Sequence, residues 1–457
     1  GKGLARSLNG GRSWESFRYI PEFVSRGIFA VDILGDTIWA STGFTKDVDG
    51  QGVQTGTGFA YSTDNGNIWI HRPQPLDDRG DSLETYGSNT VKFLPIVVPE
   101  QNVTFDVALS SGTVWIASWS SGLRKSINLN STNPDSIWQR IVLPSRDRNT
   151  ISPSDALGNY SIDPRRDNNF LAFSVFAQTD SIIWCGTAGG INKSTDSGLS
   201  WSKYTTFNQQ AHILGNWVIA IKGQALDSSY RLWCTNWKAD IDPNEQYGVS
   251  YTEDGGRIWK NFLHGIKAYD FAFKDSIAYI ATDEGVYRTN DGGTSWNRSG
   301  TIIDKTSGQR ITSTSFFSVG VIDDTVYCGS GDGLVKTIDN ATHPFGETWE
   351  VLRAYRPIGT TATTYAYPNP FSPAQEVARF HYSSGGAPAS VTIEVFDFGM
   401  NRVRTVVKDA QRSGQQEHDE IWDGQDDARN KVTNGVYFYR VVLNSGDPVW
   451  GKVMVLE

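Results

Sequence analysis

Short runs of alternating apolar and polar residues recur along the first 352 residues, each bounded by Gly, Asp, Ser or Asn, and helical spacing is nearly absent. Period-two runs of this length predict strands. They come in a fixed order. A short apolar strand such as FAVDIL (29–34) or DFAFK (270–274) leads through a tight turn into a second, as in GDTIWAST, KDSIAYIAT or DDTVYCGS. A third strand runs into a polar turn that ends on tryptophan, GVYRTNDGGTSW (285–296), and a fourth strand leaves from that ring.

The polar turn is the part that repeats most closely. YSTDNGNIW (61–69), KSTDSGLSW (193–201) and YTEDGGRIW (251–259) match it well. RSLNGGRSW (6–14) is a weaker copy, and stretched copies end on Trp138 and Trp349. Ser or Thr, followed two residues later by Asp, can bond local backbone N–H groups and lock the turn. Gly next but one takes a left-handed conformation that other residues resist. The tryptophan turns inward as a large packing anchor. This S/T-x-D-x-G-x-x-W phrase resembles the Asp-box, or bacterial neuraminidase repeat. The resemblance implies a β-propeller with the motif between the third and fourth strands of each blade, on the face opposite the usual ligand site. It also implies a structural role for Asp64, Asp196, Asp254, Asp291 and Asp339, and for Trp69, Trp201, Trp259, Trp296 and Trp349.

Counting the closing tryptophans (Trp14, Trp69, Trp138, Trp201, Trp259, Trp296, Trp349) gives seven blades. Four-stranded blades around a channel are the propeller plan. The first blade is incomplete, because residues 3–17 supply only its third and fourth strands; its inner strands are expected from chain preceding Gly1. The rhythm stops after Leu352. A Pro/Thr-rich linker, 353–364, precedes strand-like runs VARFHY, VTIEVFD, GVYFYRVVL and VWGKVMVL, which suit a small β-sandwich over 365–457. YPNPFSP, VTIEVFDFGMNRVRTV and IWDGQDDARNKVTNGVYFYRVV resemble an Ig-like module shared by flagellar hook-cap proteins and the C-terminal sorting domains of type IX secretion substrates. That resemblance implies export across an outer membrane and an extracellular or outer-membrane-surface location. Arg429-Asn430 stands where that family carries a turn glycine.

Composition narrows the function classes. The chain has 457 residues and a formal net charge of −9, with no Lys/Arg-dense run to follow a phosphate backbone, which argues against nucleic acid. No apolar stretch approaches the roughly 20 residues of a membrane span. The three cysteines, Cys185, Cys234 and Cys328, align with Ala40, Ile116 and Ile280 of other repeats, so they read as free core thiols.

The long loops define the candidate site. If the tryptophan-ended turns mark one face, the loops between second and third strands and the long crossings 71–102 and 143–169 belong to the other. TGFTKDVDGQGVQTGTG (42–58) and TNWKADIDPNEQYG (235–248) are the longest of these loops. Of 16 tryptophans, seven close turns, four sit in second strands and two belong to the C-terminal module, which leaves Trp119, Trp217 and Trp237 on the loop-bearing face. They are expected to form an aromatic floor, with Asp47, Asp49, Asp240, Asp242 and Tyr247 as its polar wall. Such a pocket is the default binding-site hypothesis. Asp47-x-Asp49-x-Gln51 and Asp240-x-Asp242-x-Asn244-Glu245 offer the oxygen ligands calcium takes, without the remaining spacing of a calcium loop. No cofactor or metal is therefore expected.

The sequence assigns no catalytic residue. Phe17-Arg18-Tyr19-Ile20-Pro21 is similar to a sialidase F-R-I-P phrase, but the inserted Tyr19 breaks it. The reading is thus a secreted or surface propeller that binds an extracellular glycan or protein partner, and that meets secretion machinery through its C-terminal domain. A glycoside hydrolase using two loop carboxylates is the alternative. A structural subunit of an extracellular assembly is the third.

Overall fold

The structure is a computed structural model that describes residues 3–17, 20–23, 26–48, 51–127, 137–227, 229–306, 308–352, 364–385, 387–414 and 417–456. It is almost wholly β. The chain divides into two compact units, Gly1–Asp283 with Thr289–Ser295, and Glu284–Arg288 with Trp296–Glu457.

The first unit contains four complete antiparallel meanders. Sheet I comprises Gly27–Leu34, Thr37–Val48, Gln51–Ser62 and Ile70–Arg72. Sheet II comprises Thr104–Ser110, Thr113–Ser118, Gly122–Ser126 and Trp138–Arg140. Sheet III comprises Ala172–Ala177, Ile183–Thr187, Gly190–Ser194 and Trp201–Tyr204, with Thr150–Ile151 added beyond its fourth strand. Sheet IV comprises Ile221–Ala225, Tyr230–Asn236, Gly248–Thr252 and Lys260–Phe262. Ala268–Lys274 and Ile277–Thr282 form a further antiparallel pair. The first strands of successive sheets lie side by side. Meander sheets with adjoining innermost strands are the blades of a β-propeller.

Ala5–Arg6 pairs with Glu15–Ser16 in a two-stranded sheet, and no other strand among the described residues joins it. Phe17 and Phe23 beside it pack on Trp69, with ring centroids 5.3 and 4.9 Å away. Arg18 and Tyr19 lie outside the described residues, but Phe17 of that phrase is a core residue.

The turn between third and fourth strands is built the same way in each good copy. In sheet III the Ser194 hydroxyl donates to Asp196 (2.7 Å) and accepts from Gly198 N (2.8 Å). Asp196 accepts from Leu199 N and Ser200 N, and the indole of Trp201 donates to Gly198 O. Asp64, Asp254 and Asp291 take the same bonds in their turns. Asn9 replaces the carboxylate in the N-terminal copy, accepting from Ser13 N. Trp69, Trp201 and Trp259 are buried at the start of the fourth strands. In the second unit Asp339 differs. It pairs with the Arg288 guanidinium, while Thr337 keeps the motif's bond by accepting from Gly346 N across the longer loop 340–348. Trp349 is buried beside Phe345, and Trp296 packs edge-on to Tyr287. Of the copy ending on Trp138, residues 128–136 lie outside the described residues.

Each turn also joins its blade to the preceding one. A Cβ added at Gly198 would meet the Trp115 ring of sheet II at 2.6 Å, and one at Gly256 would meet the Tyr204 ring of sheet III at 2.8 Å. Lys125 and Lys193, each just ahead of the motif's Ser, donate to Ser197 O and Gly255 O of the next turn (3.0 and 2.9 Å). Tyr251 and Arg6 do likewise to Gly292 O and Asn65 O. Second-strand tryptophans meet the next closing tryptophan edge-on, as Trp39–Trp138 (6.3 Å) and Trp184–Trp259 (6.5 Å).

Polar groups tie the innermost strands. Asp32 accepts from Leu109 N (2.7 Å), Asp106 from Val175 N (3.0 Å), and Lys222 pairs with Asp270 (2.7 Å). Burial pushes the Asp106 carboxyl up to about 7. Burial pulls Lys222 down, but the facing carboxylates of Asp270, Asp106 and Asp32 outweigh it and leave the ammonium raised. Cys185, Cys234 and Cys328 are free and buried, and burial raises all three thiols.

The long crossings differ from the expected open loops. Leu83–Tyr86, Asn89–Phe93 and Ser161–Ile162 form a separate three-stranded sheet, whose Tyr86, Val91 and Phe93 share a core with Trp115 and Trp201. Beneath it Arg124 pairs with Asp77 (2.8 Å), and Arg140 with Asp81 and Glu84. Alternating apolar residues inside the crossing explain this: they need a sheet to bury one face.

In the second unit Phe316–Ile322, Thr325–Ser330, Gly333–Ile338 and Glu350–Leu352 form another four-stranded meander. Residues 353–363, most of the expected linker, lie outside the described residues. Beyond them a three-stranded sheet (Thr364–Tyr367, Ala378–Ser383, Glu417–Trp422) faces a four-stranded one (Arg402–Arg412, Ala389–Phe396, Gly435–Leu443, Val449–Val455). Phe380, Tyr439, Trp422 and Val391 fill the space between. Arg429 adopts φ 70°, a left-handed conformation, held by Asp426 accepting from Asn430 N (2.8 Å).

The turn chemistry makes a stability prediction. Burial raises the Asp196 carboxyl, but bonds from Ser200, Ser194 and Leu199 outweigh it and leave the group below its ordinary value. A depressed carboxyl contributes stability that is present above about pH 4 and lost as pH falls through the folded value. Asp196→Ala should therefore lower stability at pH 7 by about 1–3 kcal/mol. In urea titrations that gap should narrow toward pH 2. An unchanged midpoint at pH 7 would show that glycine and tryptophan hold the turn alone.

Candidate functional site

In each first strand of sheets I to III, one residue is left over by a β-bulge, and it is aromatic. Ile28 faces Thr42 and Ala30 faces Ser41, leaving Phe29. Thr104 and Asp106 pair with Ser118 and Ala117, leaving Phe105. Ala172 and Ser174 leave Phe173, and Ala268 and Asp270 leave Tyr269. In the second unit the same bulge leaves Phe317. A bulge bends its strand and re-aims the extra side chain. All five lie near the start of the first strand, at the end that also carries the loops between second and third strands.

The bulged rings connect into one row with the three singled-out tryptophans. Phe29 and Phe105 are 6.0 Å apart between centroids, Phe105 and Phe173 5.3 Å, and Phe173 and Trp217 5.1 Å. Trp217 continues to Trp237 (6.0 Å) and Trp237 to Tyr269 (5.5 Å). Trp119 sits over the junction of Phe105 and Phe173, 6.1 and 6.3 Å away. Backbone bonds fix the geometry: Trp217 and Trp237 exchange N–H···O bonds (3.1 and 2.8 Å), and the Trp237 indole donates to Ala268 O (2.9 Å). Every ring in the row except buried Phe173 is half-buried.

The polar surroundings differ from the expected acidic wall. Tyr247 joins the row, 6.2 Å from Trp237. Lys267 lies over both rings (5.5 Å from Trp237, 5.0 Å from Tyr247), and Lys238 over Tyr247 at 5.8 Å. Asp242 is engaged in its own loop: it accepts from Asn244 N (2.9 Å) and the Thr206 hydroxyl (3.0 Å), and the Asn244 bond leads in lowering its carboxyl. Asp240 is exposed at φ 56°. Asp47 lies on the exposed tip of a regular ribbon, because strands Thr37–Val48 and Gln51–Ser62 stay paired to Val48 opposite Gln51. Asp49 lies outside the described residues. The structure thus assembles Trp119, Trp217, Trp237 and Tyr247, and leaves the carboxylates dispersed.

The bulged aromatics escaped the sequence reading, although their signal was present. FAVD, FDVA, FSVF, YDFA and FSVG open five of the first strands with an aromatic at one register, each followed by a small or acidic residue. Asp106 carries a raised carboxyl near the row, but both its oxygens accept backbone bonds, from Val107 N (2.9 Å) and Val175 N. Among the described residues no three His, Cys, Asp or Glu side chains are grouped to hold a metal ion. Among those residues, no helix is long and apolar enough to cross a membrane.

No protein-family model and no curated protein matches the chain. Among solved structures it is similar to PorZ, a bacterial surface component of the type-IX secretion system of Porphyromonas gingivalis, at 15% identity over 97% of this chain, with a TM-score of 0.35. The chain spans 61% of that structure's length. It is also similar to YCF48 from Cyanidioschyzon merolae (13% identity, 79% of this chain and 94% of that one, TM-score 0.39). A third is the extracellular domain of a hybrid two component system, BT3049, from B. thetaiotaomicron (14% identity, 97% of this chain and 70% of that one, TM-score 0.33).

Proposed function

We propose that this chain is a secreted or surface-displayed bacterial binding protein, with its ligand seated on the aromatic row of the loop-bearing face. The observation that carries the reading is the row itself: Phe29, Phe105, Phe173 and Tyr269, aimed by repeated bulges, in contact with one another or with Trp119, Trp217 and Trp237. Flat half-buried rings with scattered polar neighbours suit the apolar faces of sugar rings, so a glycan is the preferred ligand and an extracellular protein the second choice. The turn motif's resemblance to Asp-boxes supports this placement, since those turns occupy the opposite end of each blade. The C-terminal sandwich, through its resemblance to type IX sorting domains, is read as the export signal that brings the propeller to the cell surface. A glycoside hydrolase would need two free facing carboxylates, and the carboxylates described at this end are bonded or dispersed.

Two experiments test the reading. A glycan-array screen with a parallel hydrolysis assay identifies the ligand. Trp119→Ala/Trp237→Ala should then weaken its binding by about tenfold or more, one ring contributing about 1 kcal/mol. Unchanged affinity in a folded variant would make the rings packing elements only. Separately, deletion of residues 365–457 should leave the protein in the periplasm, and normal export of the shortened chain would remove the sorting role.

A further inference from the structure

A second site lies at the same end of the first unit, beyond Trp217. A cavity of about 150 Å³ is lined by Arg146, Arg166, Lys203, Asn168, Phe207 and Ile241, with Asp167 and Asn216 in its wall. Three cations and one carboxylate line it, in a protein whose net charge is −9.

The cations are incompletely matched within the fold. Lys203 is only 3% exposed, and of its three donors the described residues engage one, through Ser145 O. Burial pulls its ammonium down to about 8. Arg166 stands 3.6 Å from Asp163, but Arg165 already takes both oxygens of that carboxylate (2.9 and 2.8 Å). Arg146 reaches only Asp147, at 3.9 Å, and both guanidiniums are more than 70% exposed. Asp167, the one acidic group in the wall, accepts from Arg146 N (2.6 Å) and Asn169 N (2.9 Å), and its charge and that of Asp147 favour the charged form of Lys203. Arginine forks at the rim and an ammonium at the base form an arrangement for a carboxylate. Phe207 and Ile241, 59% and 48% exposed, give the rim an apolar side against which a ring can lie.

We propose that this pocket binds the carboxylate of an acidic sugar, with Lys203 at its base, Arg146 and Arg166 as the closing forks, and Phe207 against the sugar ring. The inference rests on the glycan-binding reading above, and makes the preferred glycan a uronate polymer. Asn216 lines the pocket and is followed directly by Trp217 of the row, so one chain can lie across both. The volume holds a carboxylate and part of the ring that bears it, about the space of one six-membered ring.

The test titrates the full chain with hexamers of galacturonate, guluronate and mannuronate, each beside its methyl ester, at low and physiological salt. At least one free acid should bind about tenfold or more tighter than its ester. Arg146→Gln/Arg166→Gln, both exposed positions, should erase that preference while leaving ester binding unchanged. Lys203→Met should do the same; should it fail to fold, the arginine pair still decides. The preference should also fade between pH 7 and pH 9 as Lys203 loses its proton. Equal binding of acid and ester, or a preference that survives in the arginine variant, overturns the pocket while the aromatic row stands. Binding of peptides through a free C-terminal carboxylate, with no uronate or neutral glycan bound, overturns both readings.

Discussion

The turn glycine seated on the neighbouring blade's aromatic ring is the contact on which the arrangement of sheets I to IV depends. A four-stranded meander buries little alone, and its stability comes from the surface it shares with the next. At Gly198 that surface is Trp115, and at Gly256 it is Tyr204, so close that no side chain fits between. Both glycines also carry positive φ, 86° and 99°. Two independent constraints, conformation and contact, thus fall on the same residue. The remaining letters of the motif follow from them. Ser or Thr and Asp hold the loop in the shape that presents the glycine, and the closing tryptophan covers the joint from its own side. The Lys, Arg or Tyr just ahead of the motif clamps the next turn's carbonyl.

Fixing one end of each blade so tightly frees the other. The loops between second and third strands vary from the two-residue turn after Thr187 to the ribbon ending at Val48. What recurs there, in sheets I to III and in strand Ala268–Lys274, is the bulge. Each inserts one residue where regular alternation would continue, and that residue no longer belongs to either face of its sheet. Phe29, Phe105 and Tyr269 in that position are half-buried, and Phe173 is buried. Repetition of the bulge, rather than any single loop, therefore makes the row, and neighbouring strands set the 5–6 Å spacing of its rings.

Much of this was legible in the sequence because it repeats. Strand order, turn chemistry, the two-strand N-terminal sheet and the buried cysteines all follow from positions that recur at one register. Three tryptophans of the site were found by subtraction. Its phenylalanines were missed because an alternating pattern hides a bulge: Phe105 and Phe173 read as ordinary core positions when their strands are taken one at a time. The acidic wall failed for a different reason. Loop carboxylates such as Asp242 are close to backbone N–H groups and Asn or Thr side chains, and such local partners capture them before a distant site can. Asp339 pairs with Arg288, which spacing alone does not show. The crossing sheet was also hidden, since its strands are short and pair across some 70 residues.

Charge distribution sharpens what the loop-bearing end can recognise. The protein is acidic overall, and Asp32, Asp106 and Asp270 lie on the innermost strands, so at long range an anionic polymer is repelled. At physiological salt that repulsion is screened beyond about 8 Å. Within that distance the groups that matter are Lys267 and Lys238 over Trp237 and Tyr247, and Arg146, Arg166 and Lys203 in the cavity beyond Trp217. The carboxylates among them, Asp167 and Asp242, already accept backbone bonds, which hold their charge behind the surface. On the proposed reading, recognition at this end is a contact interaction between flat rings and a few placed cations, and it gains little from electrostatic steering. A ligand that satisfies it must bring an apolar ring face and a negative group close together on one rigid unit, a combination that isolated anions lack and neutral sugars supply only in part.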